Sequence, residues 1–470
     1  MPRDVGQVIS IDMLPDDVLL EVFDFYVDNP RGEQFKQEIE EWQRLVHVCR
    51  RWRSVVFGSS RRLNLRLVCI ANTDTVDIWP ALPLFIQDYG PTGSLDNIVA
   101  LLERSDLVPR ISRIDLWDVS SSQLEDIREA MQVPFPELTH LELNRRSGQT
   151  EPVLPLSDSF LGGSAPRLRY LDLADIPYPG LPKLLLSATQ LTNLHLYGIP
   201  DSGYIPPEAM AGCLSALTSL ERLYLQFRFA RPLPDQESRR PPSSIRTSLP
   251  VLDDFLFRGG AEYLEVLMAR IDAPQLRGLD ITFFNDIVFL TPQFTRFICH
   301  TPMLEAFDVA RVTFLGGTAS VKLSSTYERL SVSISCRELD WQLSFLEQVC
   351  TSSLPPLSTL HDLYMMSTRP WPQDWKDNID YAQWLELLRS FSVVKNLYLS
   401  KELAPCVVPA LEDLVGGRST EVFPALQNIF FEELQESGPV QEGFGKFVAA
   451  RRVTSHPITV SRWDRTRTRF

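Results

Sequence analysis

Residues 111–116 read Ile111-Ser-Arg-Ile-Asp-Leu116, and residues 138–143 repeat the pattern as Leu138-Thr-His-Leu-Glu-Leu143. Three more clear copies start at 168, 191 and 220, so that successive copies lie 27, 30, 23 and 29 residues apart. A short motif that returns at this interval is typical of a solenoid, in which each repeat adds one strand-containing unit to a shared core. Weaker copies start at 252, 276, 304, 360, 394 and 426.

The segments between these copies include runs with the apolar spacing of amphipathic helices. The clearest runs span 122–131, 261–271, 341–349 and 381–391. Together the two patterns predict an α/β solenoid over residues 61–450, with parallel strands on a concave face and helices on the outer side. Chance recurrence of the motif in an ordinary α/β domain is the alternative.

Two further amphipathic stretches precede the repeats, separated by a charged segment at 28–41 that predicts a loop. The first stretch begins at Pro15, a residue suited to the first turn of a helix. Two short helices in about sixty residues cannot bury so many apolar side chains by themselves. Part of this surface must therefore face the next domain, a partner, or both. The apolar positions are Val18, Leu19, Val22, Phe23 and Tyr26, then Trp42, Leu45, Val46, Cys49, Trp52 and Val56.

The segments Leu14-Pro15-x-Asp17-x-Leu19-Leu20-x-Val22-Phe23 and Leu45-Val46-x-Val48-Cys49-Arg50-Arg51-Trp52-Arg53 resemble an F-box, within a domain at 1–60. The later motif resembles the leucine-rich repeats of fungal-type F-box proteins. The resemblance implies the substrate-recognition subunit of an SCF-type (Skp–cullin–F-box) E3 ubiquitin ligase. Such a subunit binds a Skp-type adaptor, and through it a cullin–RING scaffold. The adaptor-binding positions that it implies are Leu14, Pro15, Val18, Leu19, Val22, Phe23, Leu45, Val48, Cys49 and Trp52.

The repeat strands also predict a substrate-binding face. Side chains alternate between the two faces of a strand, so the residues between the leucines point away from the core. Exposed aromatic residues often anchor interfaces, and acidic ones favour a basic partner. An ordinary solvated face, on a repeat scaffold with no ligase link, is the alternative. The predicted face comprises Trp117, Glu142, Tyr170, Asp172, His195, Tyr197, Tyr224, Asp280, Tyr364 and Tyr398.

The charge of the chain argues against nucleic acid as a partner. The formal net charge is -14 at pH 7, whereas nonspecific nucleic-acid binding relies on Lys and Arg. A short basic C-terminal tail, 451–470, runs against this trend with six arginines and one aspartate. Another segment, at about 230–248, is rich in Pro, Arg and Ser and predicts a flexible insertion in the repeats.

The seven cysteines are scattered and show no C-x-x-C spacing, which favours buried thiols in a reducing compartment. The sequence has no signal-peptide pattern and no apolar run of membrane-spanning length, so a cytoplasmic or nuclear protein is expected. The sequence also lacks the common catalytic and metal-binding motifs. We therefore expect no catalytic residues, no metal and no cofactor. An enzyme built on a repeat-like α/β frame is the remaining alternative.

Overall fold

A computed structural model describes residues 11–27, 41–69, 76–89, 95–146, 154–229, 246–284, 291–355, 357–367, 381–414, 418, 420–432 and 439–464. The predicted loop at 28–41 lies outside them except for its last residue, and the predicted insertion except for residues 246–248. The chain divides into two units, Met1–Ile176 and Pro177–Phe470.

The first unit joins the N-terminal helices and the first repeats. Its described helices are α1 (Asp16–Val27), α2 (Glu41–Val46), α3 (Arg50–Gly58), α4 (Leu95–Leu102) and α5 (Ser121–Ala130). Its described strands are β1 (Leu67–Cys69), β2 (Leu84–Asp88), β3 (Ile111–Val119), β4 (His140–Arg145) and β5 (Tyr170–Ala174). Consecutive strands pair in parallel in chain order, and their leucines and isoleucines form the core.

The second unit continues the alternation of strands and helices. Its described strands are β6 (Asn193–Ile199), β7 (Arg222–Phe227), β8 (Thr247–Ser248), β9 (Asp254–Gly259), β10 (Ile271–Asp272), β11 (Gly278–Phe284), β12 (Val309–Phe314), β13 (Ala319–Ser324), β14 (Arg329–Ser335), β15 (Asp362–Ser367), β16 (Asn396–Leu399), β17 (Asn428–Phe431) and β18 (Thr459–Arg462). Strands β8 and β10 form a small parallel pair, and the others form one sheet in the order β6-β7-β9-β11-β14-β13-β12-β15-β16-β17-β18.

Most helices of the second unit contact the next helix along the chain. They are α6 (Leu181–Ser187), α7 (Pro207–Leu214), α8 (Ala261–Met268), α9 (Pro292–Cys299), α10 (Leu339–Gln348), α11 (Tyr381–Arg389), α12 (Ala404–Glu412) and α13 (Pro439–Val453). Helices α5, α8, α10 and α11 confirm the four amphipathic runs to within about three residues. Within the described ranges, none of the helices has both the length and the apolar character needed to cross a bilayer.

Ten of the eleven motif copies coincide with strands, and the copy at 304–309 does not. There the strand begins only at Val309, and two unpredicted strands, β13 and β14, follow it. Strand β13 is antiparallel to both neighbours, so the expectation of an entirely parallel sheet is wrong at this point. A turn containing Gly316, whose φ of 69° suits glycine, reverses the chain after β12. The resulting meander brings β14 back beside β11.

The second N-terminal stretch is two helices and not one. Helix α2 ends at Val46 and α3 begins at Arg50. Cys49 has an extended backbone and is the N-cap of α3, where its Sγ accepts a hydrogen bond from the Trp52 N–H at 3.4 Å. The apolar spacing runs through this break because both helices contribute side chains to the same core.

The end of the chain belongs to the fold further than expected. The proposed tail boundary at 450/451 falls inside α13, and residues 459–462 form β18, which pairs in parallel with β17. Trp463 is buried after that strand. Residues 465–470 lie outside the described residues. The end of the predicted insertion also belongs to the fold, because its residues 247 and 248 form β8.

Helix α9 has its N-terminal N–H groups satisfied by another helix. Its N-cap, Thr291, makes no side-chain capping bond, and Pro292 has no N–H. Glu265 of α8 accepts instead, from the N–H of Gln293 at 2.9 Å and of Phe294 at 2.8 Å. Helix N-termini favour such acceptors because their first N–H groups have no partner within the helix.

We expect Glu265→Ala to lower the free energy of unfolding by about 1–2 kcal/mol, the usual cost of losing a helix cap. Glu265→Gln keeps one acceptor oxygen and should lose about half as much. Urea denaturation followed by circular dichroism measures both. Equal stability of Glu265→Ala and the wild type would show that the interhelical cap contributes nothing.

Candidate functional site

The N-terminal helices share a small core. Leu19 and Phe23 are one turn apart on α1, and both are fully buried. The Phe23 ring packs against Trp52 of α3 with the ring centroids 4.7 Å apart. Arg51 joins the same two helices, since its guanidinium donates to the Leu14 carbonyl at 2.5 Å and to Asp16 Oδ1 at 2.6 Å.

Trp42 connects these helices to the first strand. Its indole N–H donates to the Arg66 carbonyl, one residue before β1, at 3.0 Å. Its ring also meets Phe57 edge-on at 5.9 Å and Trp79 at 5.2 Å. With 1% of its surface exposed, Trp42 is part of the core. The helices therefore cover the beginning of the sheet.

Large apolar side chains of these helices remain in solvent. On α1, Val18, Val22 and Phe25 are 40%, 45% and 76% exposed and recur at the i, i+4, i+7 spacing of one helix face. Tyr26 of the same helix is 36% exposed, and Val48, between α2 and α3, is 59% exposed. We call Val18, Val22, Phe25 and Val48 the N-terminal apolar surface. Large exposed apolar patches mark interaction sites.

The structure divides the ten predicted adaptor-binding residues by exposure. Phe25, which the motif does not include, is more exposed than Val18, Val22 or Val48, and the i+7 spacing from Val18 is the signal that identifies it. The buried residues of the set belong to the core of the N-terminal helices. Leu19, Phe23 and Leu45 are buried, Leu14, Cys49 and Trp52 are half-buried, and Pro15, Val18, Val22 and Val48 are exposed.

In the first unit, the strand face that carries the predicted substrate-binding residues holds rows of polar and aromatic side chains. Asp115, Glu142 and Asp172 stand in register on β3, β4 and β5. In the adjacent row, the His140 ring stacks on Tyr170 at 4.0 Å, with 3° between the ring planes. Neighbouring strands lie about 4.8 Å apart, close enough for flat side chains to cover each other.

Asp115 is fully buried at the centre of these rows. Arg113 Nε donates to its Oδ2 at 2.7 Å, and the Tyr89 hydroxyl lies 3.4 Å from the same oxygen. Burial acts to raise the pKa of Asp115, but the neighbouring His140 and Arg113 hold it below its usual range. Burial likewise acts to lower the pKa of His140, and the carboxylates of Asp115 and Glu142 raise it overall.

In the second unit, a charged network joins side chains of β7, β9 and β14 and passes over β11, which lies between β9 and β14. The Tyr224 hydroxyl donates to Asp254 Oδ2 at 2.7 Å, and Arg329 Nη2 reaches both carboxylate oxygens of Asp254 at 2.9 and 2.8 Å. Gly278 stands in register between Asp254 and Arg329, where a Cβ would lie 2.4 Å from Asp254 Oδ1. Glycine thus leaves room for the ion pair. Burial and the Asp254 hydrogen bond raise the pKa of Tyr224 to about 12.

A second aromatic row lies near the end of the chain. Tyr364, Tyr398 and Phe430 stack in sequence with centroid distances of 4.1 and 4.5 Å, and Trp463 lies 5.6 Å from both tyrosines. Side-chain hydrogen bonds of two asparagines accompany this row of rings. Asn396 donates to Asp362 at 2.7 Å, and Asn428 donates to Asn396 at 2.8 Å.

The ten predicted substrate-binding residues are less exposed than the sequence suggests. Asp172, His195 and Tyr364 are 6%, 7% and 5% exposed, so the expectation that they face solvent is wrong. Rings stacked on neighbouring strands explain part of this burial: Tyr364 lies on Tyr398, and His195 lies on Tyr224 at 4.2 Å. Trp117 is exposed at 40%, and Glu142, Tyr170, Tyr197, Tyr224, Asp280 and Tyr398 are half-buried.

Sequence reasoning missed the Asp254–Arg329 pair and Trp463. Asp254 and Arg329 are 75 residues apart, and only the meander that returns β14 to β11 brings them together. No family model matches the sequence, and a search of curated proteins finds no significant match.

Proposed function

We propose that this protein is the substrate-recognition subunit of an SCF-type E3 ubiquitin ligase, with an N-terminal F-box and a leucine-rich-repeat solenoid. The observation that carries the proposal is the N-terminal apolar surface. Its residues belong to the L-P…V-C-x-x-W pattern or lie on the same helix, and they stay exposed although that pattern also supplies the buried core beneath them. A Skp-type adaptor is the partner that the pattern implies.

The energetics favour a partner over a cap alone. A cap needs only the inward contacts, which Trp42 already makes with the start of the sheet. Burying one Val or Phe side chain contributes about 1.5–3 kcal/mol. Val18, Val22, Phe25 and Val48 have 40–76% of their surface left to bury. Together they can therefore supply part of the affinity of a micromolar complex, for which about 8 kcal/mol is required.

The strand face is the proposed substrate-binding site. In the first unit, Trp117 is exposed and Tyr170 is half-buried, and Glu142 adds a carboxylate. In the second unit, Tyr197, Tyr224 and Tyr398 are half-buried, and Asp280 adds a carboxylate. Aromatic anchors combined with acidic groups suit a protein segment that contains Lys or Arg. Lysine is also the residue to which ubiquitin is transferred.

The subunit itself performs no bond chemistry in this proposal. It binds the substrate at one surface and the adaptor at another, which holds the substrate near the transferring enzyme. Tethering of this kind replaces a bimolecular encounter with an effectively intramolecular one, at effective concentrations of about millimolar for short links.

Isothermal titration of the full chain with a purified Skp-type adaptor tests the proposal. We expect a one-to-one complex with a Kd of about 1 µM or tighter, driven largely by apolar burial and so with a negative heat-capacity change. Absence of binding at about 50 µM would reject the ligase role and leave a repeat scaffold capped by its N-terminal helices.

A further inference from the structure

Three side chains of the first unit bring metal-ligand atoms together. They are Asp115 on β3 and His140 and Glu142 on β4. His140 Nε2 lies 3.2 Å from Asp115 Oδ1 and 3.9 Å from Glu142 Oε2, and one ligand atom from each residue lies within 4.8 Å of the others. We propose that this cluster, the Asp115–His140–Glu142 site, binds a divalent transition-metal ion such as Zn²⁺. The inference does not depend on the proposed ligase function.

Two of the three atoms are buried without a hydrogen bond. Among the described residues, neither Asp115 Oδ1 nor His140 Nε2 has a hydrogen-bond partner, although the Asp115 side chain is only 1% exposed. The two atoms lie 3.2 Å apart, within the distance of an ion pair between a carboxylate and a protonated imidazole. Buried polar atoms in native proteins are nearly always hydrogen-bonded, so a buried pair that lacks this geometry can accept a cation beside a neutral imidazole.

The distances fit a small ion. Zinc bonds to nitrogen and oxygen are about 2.0–2.2 Å long, which in tetrahedral coordination places neighbouring ligand atoms about 3.3–3.6 Å apart. The two His140 distances lie close to this range. One imidazole and two carboxylates are a donor set that zinc and other borderline divalent ions accept. Three protein ligands leave one position for water or for a side chain of a bound partner.

Outer contacts hold the ligands in place. Asp115 uses its other oxygen, Oδ2, to accept from Arg113 Nε at 2.7 Å, which leaves Oδ1 for the ion. Tyr170 stacks on the His140 ring and fixes its plane. Such contacts orient ligands in metal sites. The Arg113 guanidinium also repels a cation, so we expect moderate affinity, with a Kd of about 1 µM, and not the tight binding of structural zinc sites.

The test titrates Zn²⁺ into metal-free full-length protein in competition with a chromophoric chelator. We expect one equivalent to bind, and His140→Ala and Glu142→Gln each to weaken binding about 10–100-fold. Co²⁺ should give the visible absorption of a low-symmetry, near-tetrahedral site in the wild type only. Zn²⁺ should also raise the Tm of the wild type but not that of the variants, by mass action on the folded state.

His195→Ala is the matched control. The His195 ring stacks on Tyr224 at 4.2 Å much as His140 stacks on Tyr170, but His195 is not part of the cluster. It should bind Zn²⁺ as the wild type does. Circular dichroism of each variant establishes that it is folded. The proposal is overturned if folded His140→Ala and Glu142→Gln retain wild-type affinity, if His195→Ala loses as much, or if the wild type binds no Zn²⁺ at about 100 µM.

Discussion

Val22→Asp combined with Val48→Asp is expected to weaken adaptor binding at least about 100-fold while leaving the fold intact. The two side chains are 45% and 59% exposed, so the introduced carboxylates remain hydrated in the free protein. In the complex each carboxylate would be desolvated against an apolar partner surface, which costs several kcal/mol unless a cation pairs with it. About 2.7 kcal/mol already corresponds to a 100-fold change in Kd. Isothermal titration with the purified adaptor measures the change.

Leu186→Asp combined with Val251→Asp is the matched control. These side chains are 56% and 45% exposed, close to the values for the first pair, and both lie in the second unit. The control should bind the adaptor within about twofold of wild type, because surface changes outside an interface alter the free energy little. An adaptor that binds the Val22/Val48 variant as tightly as the wild type does not use the N-terminal apolar surface.

The same residues illustrate what sequence could and could not predict about this surface. The spacing of Leu19, Val22 and Phe23 predicts a helix with an apolar side, and α1 confirms it. Spacing does not say which part of that side faces the protein. Leu19 and Phe23 are fully buried, and Phe23 packs against Trp52, whereas Val22 is 45% exposed. A test with Leu19→Asp would therefore confuse loss of the fold with loss of the partner.

The strands at ten of the eleven motif copies were predictable for a similar local reason. Each L-x-x-L-x-L copy buries its own leucines, so the pattern stays visible wherever one strand follows one helix. From 304–309 onward the chain instead forms a meander. Its pairing depends on a turn at Gly316 and on the pairing of β14 with β11, in which Gly278 stands opposite Arg329, 329 − 278 = 51 positions later. No short window of sequence contains that information.

The Asp115–His140–Glu142 site shows a third kind of limit. Metal motifs are usually sought within one segment, such as two histidines on one helix. Here His140 and Glu142 are two residues apart on one strand, and Asp115 comes from the strand before. The register of Asp115 with Glu142 unites them, and register becomes known only once both repeats are aligned in the sheet.

Arg451→Ala is expected to lower the free energy of unfolding by about 3 kcal/mol. Arg451 lies on α13 and is fully buried. Its Nη2 donates to the carbonyls of Phe423, at 3.0 Å, and Leu426, at 3.4 Å. The substitution removes buried volume and leaves two acceptors without this donor, and losing a partner costs each buried group about 1–3 kcal/mol. Urea denaturation of the full chain measures the loss.

The neighbouring Arg452 provides the control, because it has the same charge on the same helix but is exposed. Arg452→Ala should change stability by less than about 0.5 kcal/mol. Arg451→Met, which restores volume without hydrogen bonds, should fall between the two. Equal stability of Arg451→Ala and Arg452→Ala would contradict a structural role for Arg451.

The expected loss of stability in Arg451→Ala reflects the turn at 423–426, to whose carbonyls Arg451 donates. Phe423 has a positive φ of 51°, a conformation that costs a non-glycine residue about 1–2 kcal/mol. The turn leads into β17, against which the last strand, β18, pairs. Arg451 therefore stabilises a strained connection from the following helix, so loss of its guanidinium should loosen β17 and β18 together. Hydrogen exchange should then show faster amide exchange in both strands of Arg451→Ala, and unchanged exchange in β6 and β7.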